Sequence, residues 1–483
     1  MNVRVFAIGF VCLAFAQHGL HGNTLSDRQQ KCLRGAERHE RAGWIYLHIE
    51  GEPRERGFQH GYLLAGEIAE CLRVHKANWR HQSSMEWSWL VANTKGFIEP
   101  AIDAEDRAEL QGIADGVSAA GFPMTFSEIV TYNAQLELES YWWPLAAKKM
   151  TEDNDMVKKP RQSCSSFIAT GRMTKDGGIV LGHNTMGDYV EAEANVIIDI
   201  KPASGHRILM QTQPGFIHSG TDFFITDAGL VGSETTIGGF VHFSEKGIPE
   251  FVRMRRATQD AANIDQWCAI MRKGNNGGYA NAWLVGDVNT SEIARLEQGL
   301  KYTGFERTND GYFIGSNIAE DPHILRLETD VRDDDIRFSR VARRVRWKQL
   351  MKENAGKIDL ELAKKMEGDC YDACLQKERP DSRTLAGHFE LETELLAPMG
   401  GEVPFDPSGS FDSKVVDSRM AKAMSFAARW GSADGTPFDA PAFLAAHPQF
   451  DWQAGYLKSR PAQPWAEFKA GEGSSLMETD KNR

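Results

Sequence analysis

The chain has 483 residues, 41% of them hydrophobic and 25% charged, and its 67 acidic residues outnumber 55 basic ones to leave a formal charge of −12. These proportions belong to a folded chain of about three ordinary domains or one large layered one, and they exclude wholesale disorder and collagen-like or low-complexity architecture. Because a phosphate backbone is bound by clustered Lys and Arg, the acidic balance also argues against a general nucleic-acid binder.

At the N-terminus Arg4 precedes the apolar run Val5 to Ala16, which closes on Ala14-Phe15-Ala16, the small-x-small pattern of a signal peptidase site. Residues 1–16 are expected to be a signal peptide, and the mature protein to be secreted or delivered to a periplasm or lumen. The run is about a dozen residues, short of the ~20 that span a bilayer. No later stretch reaches that length, so no integral membrane span is expected.

Residues 17–147 read as a mostly helical fragment. Trp44 to Ile49 alternates with the period of a strand. Arg56-Gly57-Phe58-Gln59-His60-Gly61 reads as a glycine turn opening an amphipathic helix, and helical periodicity returns in Glu105 to Ala120 and Ser127 to Glu139. Residues 148–163 form a charged segment, KKMTEDNDMVKKPRQS, expected to be an exposed loop. Beyond it, in 164–483, short β-like runs (Ser165 to Ala169, Gly178 to Gly182, Asn195 to Ile200, Arg207 to Gln211, Phe223 to Thr226, Leu230 to Ser233) give way to two helical stretches, Pro249 to Ala262 and Asp265 to Arg272. Strands resume at Asn281 to Val285, Ile293 to Glu297 and Gly311 to Gly315, and Asp335 to Lys352 and Asp359 to Glu367 are helical. Strand blocks separated by helical pairs point to stacked sheets covered by helices.

Outside the signal segment six cysteines remain: Cys32, Cys71, Cys164, Cys268, Cys370 and Cys374. That is too few for a disulfide scaffold, although an exported chain could carry one or two bridges, and Cys370 with Cys374 could neighbour each other on a helix. Zinc needs about four convergent ligands, and the chain has no C-x-x-C pair and no H-E-x-x-H. His388 downstream of Cys370 and Cys374 is a zinc lead, but buried or paired cysteines and a surface histidine account for these residues better. No metal or cofactor is expected.

The chemically suggestive spot is Ser163-Cys164-Ser165-Ser166-Phe167, where the polar loop stops at a cysteine that begins an apolar strand. A Lys175-Asp176-Gly177-Gly178 hairpin turn leads to a second strand ending Gly182-His183-Asn184-Thr185-Met186, so antiparallel pairing brings His183 and Asn184 back beside Cys164. The residues alone leave two readings open, a thiol with polar neighbours or a buried free cysteine.

Cys164-Ser165-Ser166-Phe167 followed by Gly182-His183-Asn184-Thr185 resembles the start of the catalytic chain in N-terminal-nucleophile (Ntn) amidohydrolases, in particular the phospholipase B-like family, and is similar to the acyl-coenzyme A:6-aminopenicillanate acyltransferase family. Gly51 with Arg56 to Gly61 resembles the N-terminal signature of both. Phe216 with Ser219 to Phe224, then Glu234-Thr235-Thr236, and Tyr279-Ala280-Asn281-Ala282-Trp283 with Asp287, resemble phospholipase B-like stretches, while Ser316-Asn317 and Ser382-Arg383 match acyltransferase positions.

The resemblance implies an α+β, four-layer αββα Ntn-hydrolase sandwich. It implies a hydrolase of ester or linear amide bonds that cuts itself between Ser163 and Cys164, so that the two resulting pieces stay associated and both sheets share strands from each. The Cys164 thiol would be the nucleophile and its freed α-amine the base, since an α-amine titrates at roughly 7.7–8.0 and a thiol at ~8.5. Asn317, then Asn281, would hold the oxyanion, and Arg383 would orient the substrate or the surroundings of Cys164. Met186 stands where acyltransferase relatives carry an aspartate, which leaves His183, Asn184, Thr235 or Asp188 to polarise the nucleophile. The expected substrate is a small acylated molecule, with Phe167, Met186, Phe216, Phe223, Phe224 and Trp283 lining an acyl pocket. The alternative is a catalytically silent secreted binding protein that keeps the fold; a serine esterase is excluded by the lack of a G-x-S-x-G elbow.

Overall fold

The computed structural model describes residues 25–150, 164–193, 195–220 and 222–472. The expected signal peptide, Ser163 and most of the charged segment lie outside them. In chain order the strands are β1 Glu37–Arg41, β2 Trp44–Gly51, β3 Ser165–Thr170, β4 Val180–Asp188, β5 Val196–Pro202, β6 Ile208–Thr212, β7 Phe223–Thr226, β8 Leu230–Thr236, β9 Asn281–Asp287, β10 Glu292–Gln298, β11 Thr303–Thr308, β12 Gly311–Gly315, β13 Tyr371–Asp372, β14 Lys377–Glu378, β15 Ser408–Asp417, β16 Ser425–Trp430 and β17 Ala466–Lys469.

Nine strands form one sheet, in the order β1-β2-β5-β6-β7-β8-β9-β10-β11, and six form a second, β12-β3-β4-β15-β16-β17. Period two sorts the side chains. Val196, Ile198 and Ile200 of β5 join a core under helices Ala65–Ser83, Ala104–Ala119 and Glu250–Asp260, whereas Ile197 joins a core between the two sheets. That second core extends through β3 and β4 to Trp347 and Met366, on helices Ser339–Glu353 and Leu360–Glu367. The layers therefore run helix, sheet, sheet, helix, the expected αββα order. Away from the largely exposed edge strands β1 and β11, the sheets are covered on both faces, which is why strands such as β5 and β7 read as nearly continuous apolar runs. None of the described helices is long and apolar enough to cross a membrane.

Three expectations are corrected. The six-stranded sheet takes all its strands from beyond Cys164, so only the nine-stranded sheet is shared, through β1 and β2, with β2 lying parallel to β5. The start of the charged segment is helical, because helix Trp143–Met150 runs through Lys148 and Lys149. Arg56 to Gly61 is not a turn: it lies inside helix Pro53–Leu63, where Gly57 and Gly61, four residues apart, share one face.

That face meets helix Ala104–Ala119 at backbone distance. A Cβ on Gly57 would lie 2.0 Å from the Glu109 carbonyl oxygen and one on Gly61 2.1 Å from that of Ile113, and Gly112 and Gly116 answer from the other side at 2.4 and 2.5 Å from the carbonyl oxygens of Arg54 and Phe58. Arg56, fully buried beside them, donates through Nε to Glu109 at 2.6 Å and through an NH2 to Glu105 at 2.8 Å. The motif is a helix-packing device. Gly57→Ala is expected to push the helices apart and cost about 1–3 kcal/mol, read as a lower midpoint in thermal or urea unfolding.

Candidate active site

Cys164 sits at the head of β3, one residue before the register pairs Ser165↔Asn184 and Ser166↔His183, so the hairpin brings His183 and Asn184 to the same end as the thiol. The turn forms where Gly177 adopts φ +79°. Cys164 is buried and lines a cavity of about 160 Å³ with Met186, Asp188, Asp222, Tyr279 and Phe411.

The polar groups around the thiol come from far along the chain. The Cys164 Sγ and carboxylate oxygens of Asp222 and Glu234 lie within 4.8 Å of one another. Tyr279 Oη lies 2.6 Å from Asp222 Oδ2 and 2.7 Å from Glu234 Oε1. One hydroxyl proton cannot serve two carboxylates, so the arrangement favours one of the two acids being protonated. Burial pushes Asp222 up to about 6 and Glu234 well above its usual range, the neighbouring Asp222 charge adding to the second shift. Burial, with the Asp222 charge next, also pushes the Cys164 thiol up to about 12, so it stays a neutral thiol. Asp222, Tyr279 and Asn317 each hold φ between +53° and +65°, a left-handed conformation that costs a non-glycine residue energy and that gathers at functional sites.

The Asp222 loop is positioned by the N-terminal helices. His60 Nε2 accepts the Gly215 N–H at 2.9 Å, and Asn133 brackets the same turn, donating to the Gly215 carbonyl at 2.9 Å and accepting from Ile217 N–H at 2.9 Å. Burial holds His60 down near 4, so it stays neutral and able to accept.

Arg343, fully buried on helix Ser339–Glu353, donates to the Cys164 carbonyl at 2.7 Å and to Asn317 Oδ1 at 2.8 Å. Between the sheets Lys414 reaches Thr185 Oγ1 at 2.5 Å and Asp412 Oδ1 at 2.6 Å, and its charge opposes the rise of the Cys164 and Asp222 values.

The other expected site residues divide. Asn317 is tied to the site through Arg343, but its amide donates to the Thr236 carbonyl at 2.9 Å, so the group proposed for an oxyanion is engaged. Asn281, paired with Thr236 across β8 and β9, is buried and its carboxamide makes no hydrogen bond to the protein among the described residues. Arg383 does not reach the cavity: its guanidinium is filled by Asp372, Asp381 and Glu392 at 2.9, 2.8 and 3.0 Å. The arginine beside Cys164 is Arg343. His183 lies within 2.9 Å of the Glu234 carbonyl through Nε2, and burial drives it far below its usual value, so it is a neutral, structurally engaged histidine. Asn184 donates to the Glu367 and Leu385 carbonyls, Thr235 packs under Gly315, and Asp188 lines the cavity. Of the six residues expected in an acyl pocket only Met186 lines the cavity. Phe167 and Phe223 pack between the sheets, and Phe216, Phe224 and Trp283 pack under the helices.

The cysteine expectations change as well. All six described cysteines are free thiols. Cys370 and Cys374 lie on the β13–β14 hairpin rather than on a helix, because Asp372 Oδ1 caps a turn at the Cys374 and Leu375 amides. His388 is buried, not at the surface.

The family model for phospholipase B matches residues 107–303, which include Cys164, Asp222, Glu234, Tyr279 and Asn281. An uncharacterized protein from Archaeoglobus fulgidus is 26% identical over 255 residues, 51% of this chain and 41% of its own. Phospholipase B-like 1 of Bos taurus is 30% identical over 248 residues, 48% of this chain and 42% of its own. Putative phospholipase B-like 2 of Bos taurus is 34% identical over 142 residues, 26% and 24% of the two chains. The matches span less than half the length of each of these relatives. Among solved structures, a mutant of conjugated bile acid hydrolase from Clostridium perfringens superposes with a TM-score of 0.33 and 10% identity, over 55% of this chain and 89% of that one. An overlap that loose assigns no role to any residue.

Proposed function

We propose that this relative of the phospholipase B-like family is an exported hydrolase that cuts its own chain before Cys164 and then cleaves the amide or ester bond of a small acylated molecule. The observation that carries the reading is the setting of Cys164: a thiol in a cavity wall, with two buried acids beside its sulfur and Arg343 on its carbonyl.

In the uncut chain the thiol would add to the Ser163 carbonyl, passing its proton to the departing Cys164 nitrogen. That shift breaks the Ser163–Cys164 C–N bond and frees the α-amine, and water then hydrolyses the resulting thioester to release the Ser163 carboxylate and the Cys164 thiol. That amine becomes an ammonium beside Asp222 and Glu234, and a buried carboxylate gains most from a partner of opposite charge. Asp222 thereby supplies the negative charge that Met186 cannot.

In turnover the ammonium first passes its extra proton to a neighbouring carboxylate or to water; the neutral amine then takes the thiol proton, and the thiolate attacks the substrate carbonyl. The proton passes to the leaving amine or alcohol, and water releases the acid. Asn281 is the leading oxyanion donor, because its carboxamide is buried and uncommitted. Leu136, Met186, Phe411, Phe450 and Trp452 supply the apolar part of a cavity lining that is otherwise mostly polar and acidic, which suits a short acyl chain on a polar head.

Purified protein assayed against N-acyl amino acids, lysophospholipids and short polar peptides is expected to turn over an acylated compound fastest, with the acyl group captured as a thioester on Cys164. Faster hydrolysis of unacylated peptides would remove the acyl reading. Failure of a labelled thiol probe to react at Cys164 in folded protein would favour the silent binding protein instead.

A further inference from the structure

We propose that Cys370, His388 and Asp434 form a zinc site behind the wall of the cavity. Their donor atoms, from three separate segments, lie within 4.8 Å of one another. Cys370 follows helix Leu360–Glu367, His388 bridges to Gly409 of β15, and Asp434 lies in the loop after β16. Cys370 Sγ lies 3.7 Å from Asp434 Oδ2, and His388 Nε2 lies 3.4 Å from Asp434 Oδ1. Ligands bound to zinc at 2.0–2.3 Å in a tetrahedron stand roughly 3.3–3.8 Å from one another, so these donors already stand near coordination spacing.

The donor set selects the ion. Thiolate, imidazole and carboxylate together suit zinc, whereas calcium and magnesium take oxygen ligands. Three protein ligands leave a fourth position for water, and the site is open to it, since Asp434 keeps 18% of its side chain exposed and Cys370 is only partly buried.

A second observation points the same way. The far ring nitrogen of His388, Nδ1, lies 2.8 Å from Glu390 Oε1, and the other oxygen of Glu390 accepts the Tyr189 hydroxyl at 3.0 Å. A carboxylate on one ring nitrogen fixes the imidazole so that the other faces the metal, an arrangement characteristic of zinc-binding histidines. Asp434 is likewise held by the Ser432 and Thr436 hydroxyls, each at 2.7 Å. The Cys370 Sγ also lies 3.7 Å from the Gly368 carbonyl, and His388 Nε2 lies 3.2 Å from Ser432 Oγ, contacts that a bound ion would replace. The other three-donor cluster among the described residues, Cys164 with Asp222 and Glu234, belongs to the candidate active site.

Bound there, the ion would tie the three segments together where they back the cavity. Gly387, next to His388, packs against Met186, and Ser410 of β15 donates through N–H to the Gly387 carbonyl at 2.9 Å.

The test uses tag-free, full-length protein carrying Cys164→Ala, stripped with a chelator and titrated with Co²⁺ and then Zn²⁺. One equivalent of Co²⁺ is expected to produce a thiolate-to-cobalt charge-transfer band in the near ultraviolet, and one equivalent of Zn²⁺ to bleach it. Cys370→Ser should lose the band, and Glu390→Gln should keep it while weakening metal affinity 10–100-fold. The proposal is overturned if the folded chain binds no Co²⁺, if it binds without a thiolate band, or if Cys370→Ser retains that band. Should Cys370→Ser fail to fold, Glu390→Gln decides, and an unchanged affinity in that variant rejects the site.

Discussion

Replacing Cys164 by alanine is expected to leave the chain in one piece and to abolish turnover, because a single sulfur would serve both reactions. Wild-type protein should resolve by intact mass and denaturing electrophoresis into two chains, the larger beginning at Cys164. The alanine variant should give one chain with an unchanged thermal midpoint, since a small thiol at the head of a strand contributes little packing. Loss of activity alone would not establish the mechanism; loss of cutting together with activity would. An active wild type whose Ser163–Cys164 bond is whole would sink it.

Asn281→Ala is expected to lower kcat by 10²–10³, about 2.7–4 kcal/mol, with little change in stability, because its carboxamide has no protein partner to lose. Asn317→Ala should behave differently. It strips an acceptor from Arg343 and a donor from the Thr236 carbonyl, both buried, so the midpoint should fall by the equivalent of about 1–3 kcal/mol and cutting should slow with it. Paired measurements of kcat and thermal midpoint on the two variants separate the roles. If Asn317→Ala loses turnover at full stability and Asn281→Ala does not, the assignment is reversed.

The parts of the site fixed by short-range chemistry were legible in the sequence. The Gly177-Gly178 turn is enough to return His183 and Asn184 to the side of Cys164, and the apolar runs of β3 to β10 carry the layered architecture. What the sequence hid is long-range. Nothing local to Asp222, Glu234, Tyr279 or Arg343 marks them as neighbours of a cysteine, and a tight Asp222–Tyr279–Glu234 contact exists only once three segments pack. Arg383 stands at a motif position, yet three buried carboxylates hold it elsewhere. Strand β15 is hidden in the sequence because Asp412 and Lys414 interrupt its apolar pattern, and those two charges are held in the core by their own ion pair together with Gln211 and Thr185. Gly57 and Gly61 look like turn residues until a second helix is there to need their lack of a side chain.

The parallel seam between β2 and β5 has a consequence for timing. Its partners lie about 150 positions apart, and the acids, tyrosine and arginine around Cys164 all follow that cysteine in the chain. Such distant closures are slow and come late in folding. A nascent chain therefore carries a thiol without its full surroundings until residues beyond 343 are made and docked. Cleavage would wait for that moment, after the N-terminal helices are locked on through β2 and can no longer diffuse away. Any earlier cut would release them, and with them the grip of His60 and Asn133 on the loop that delivers Asp222.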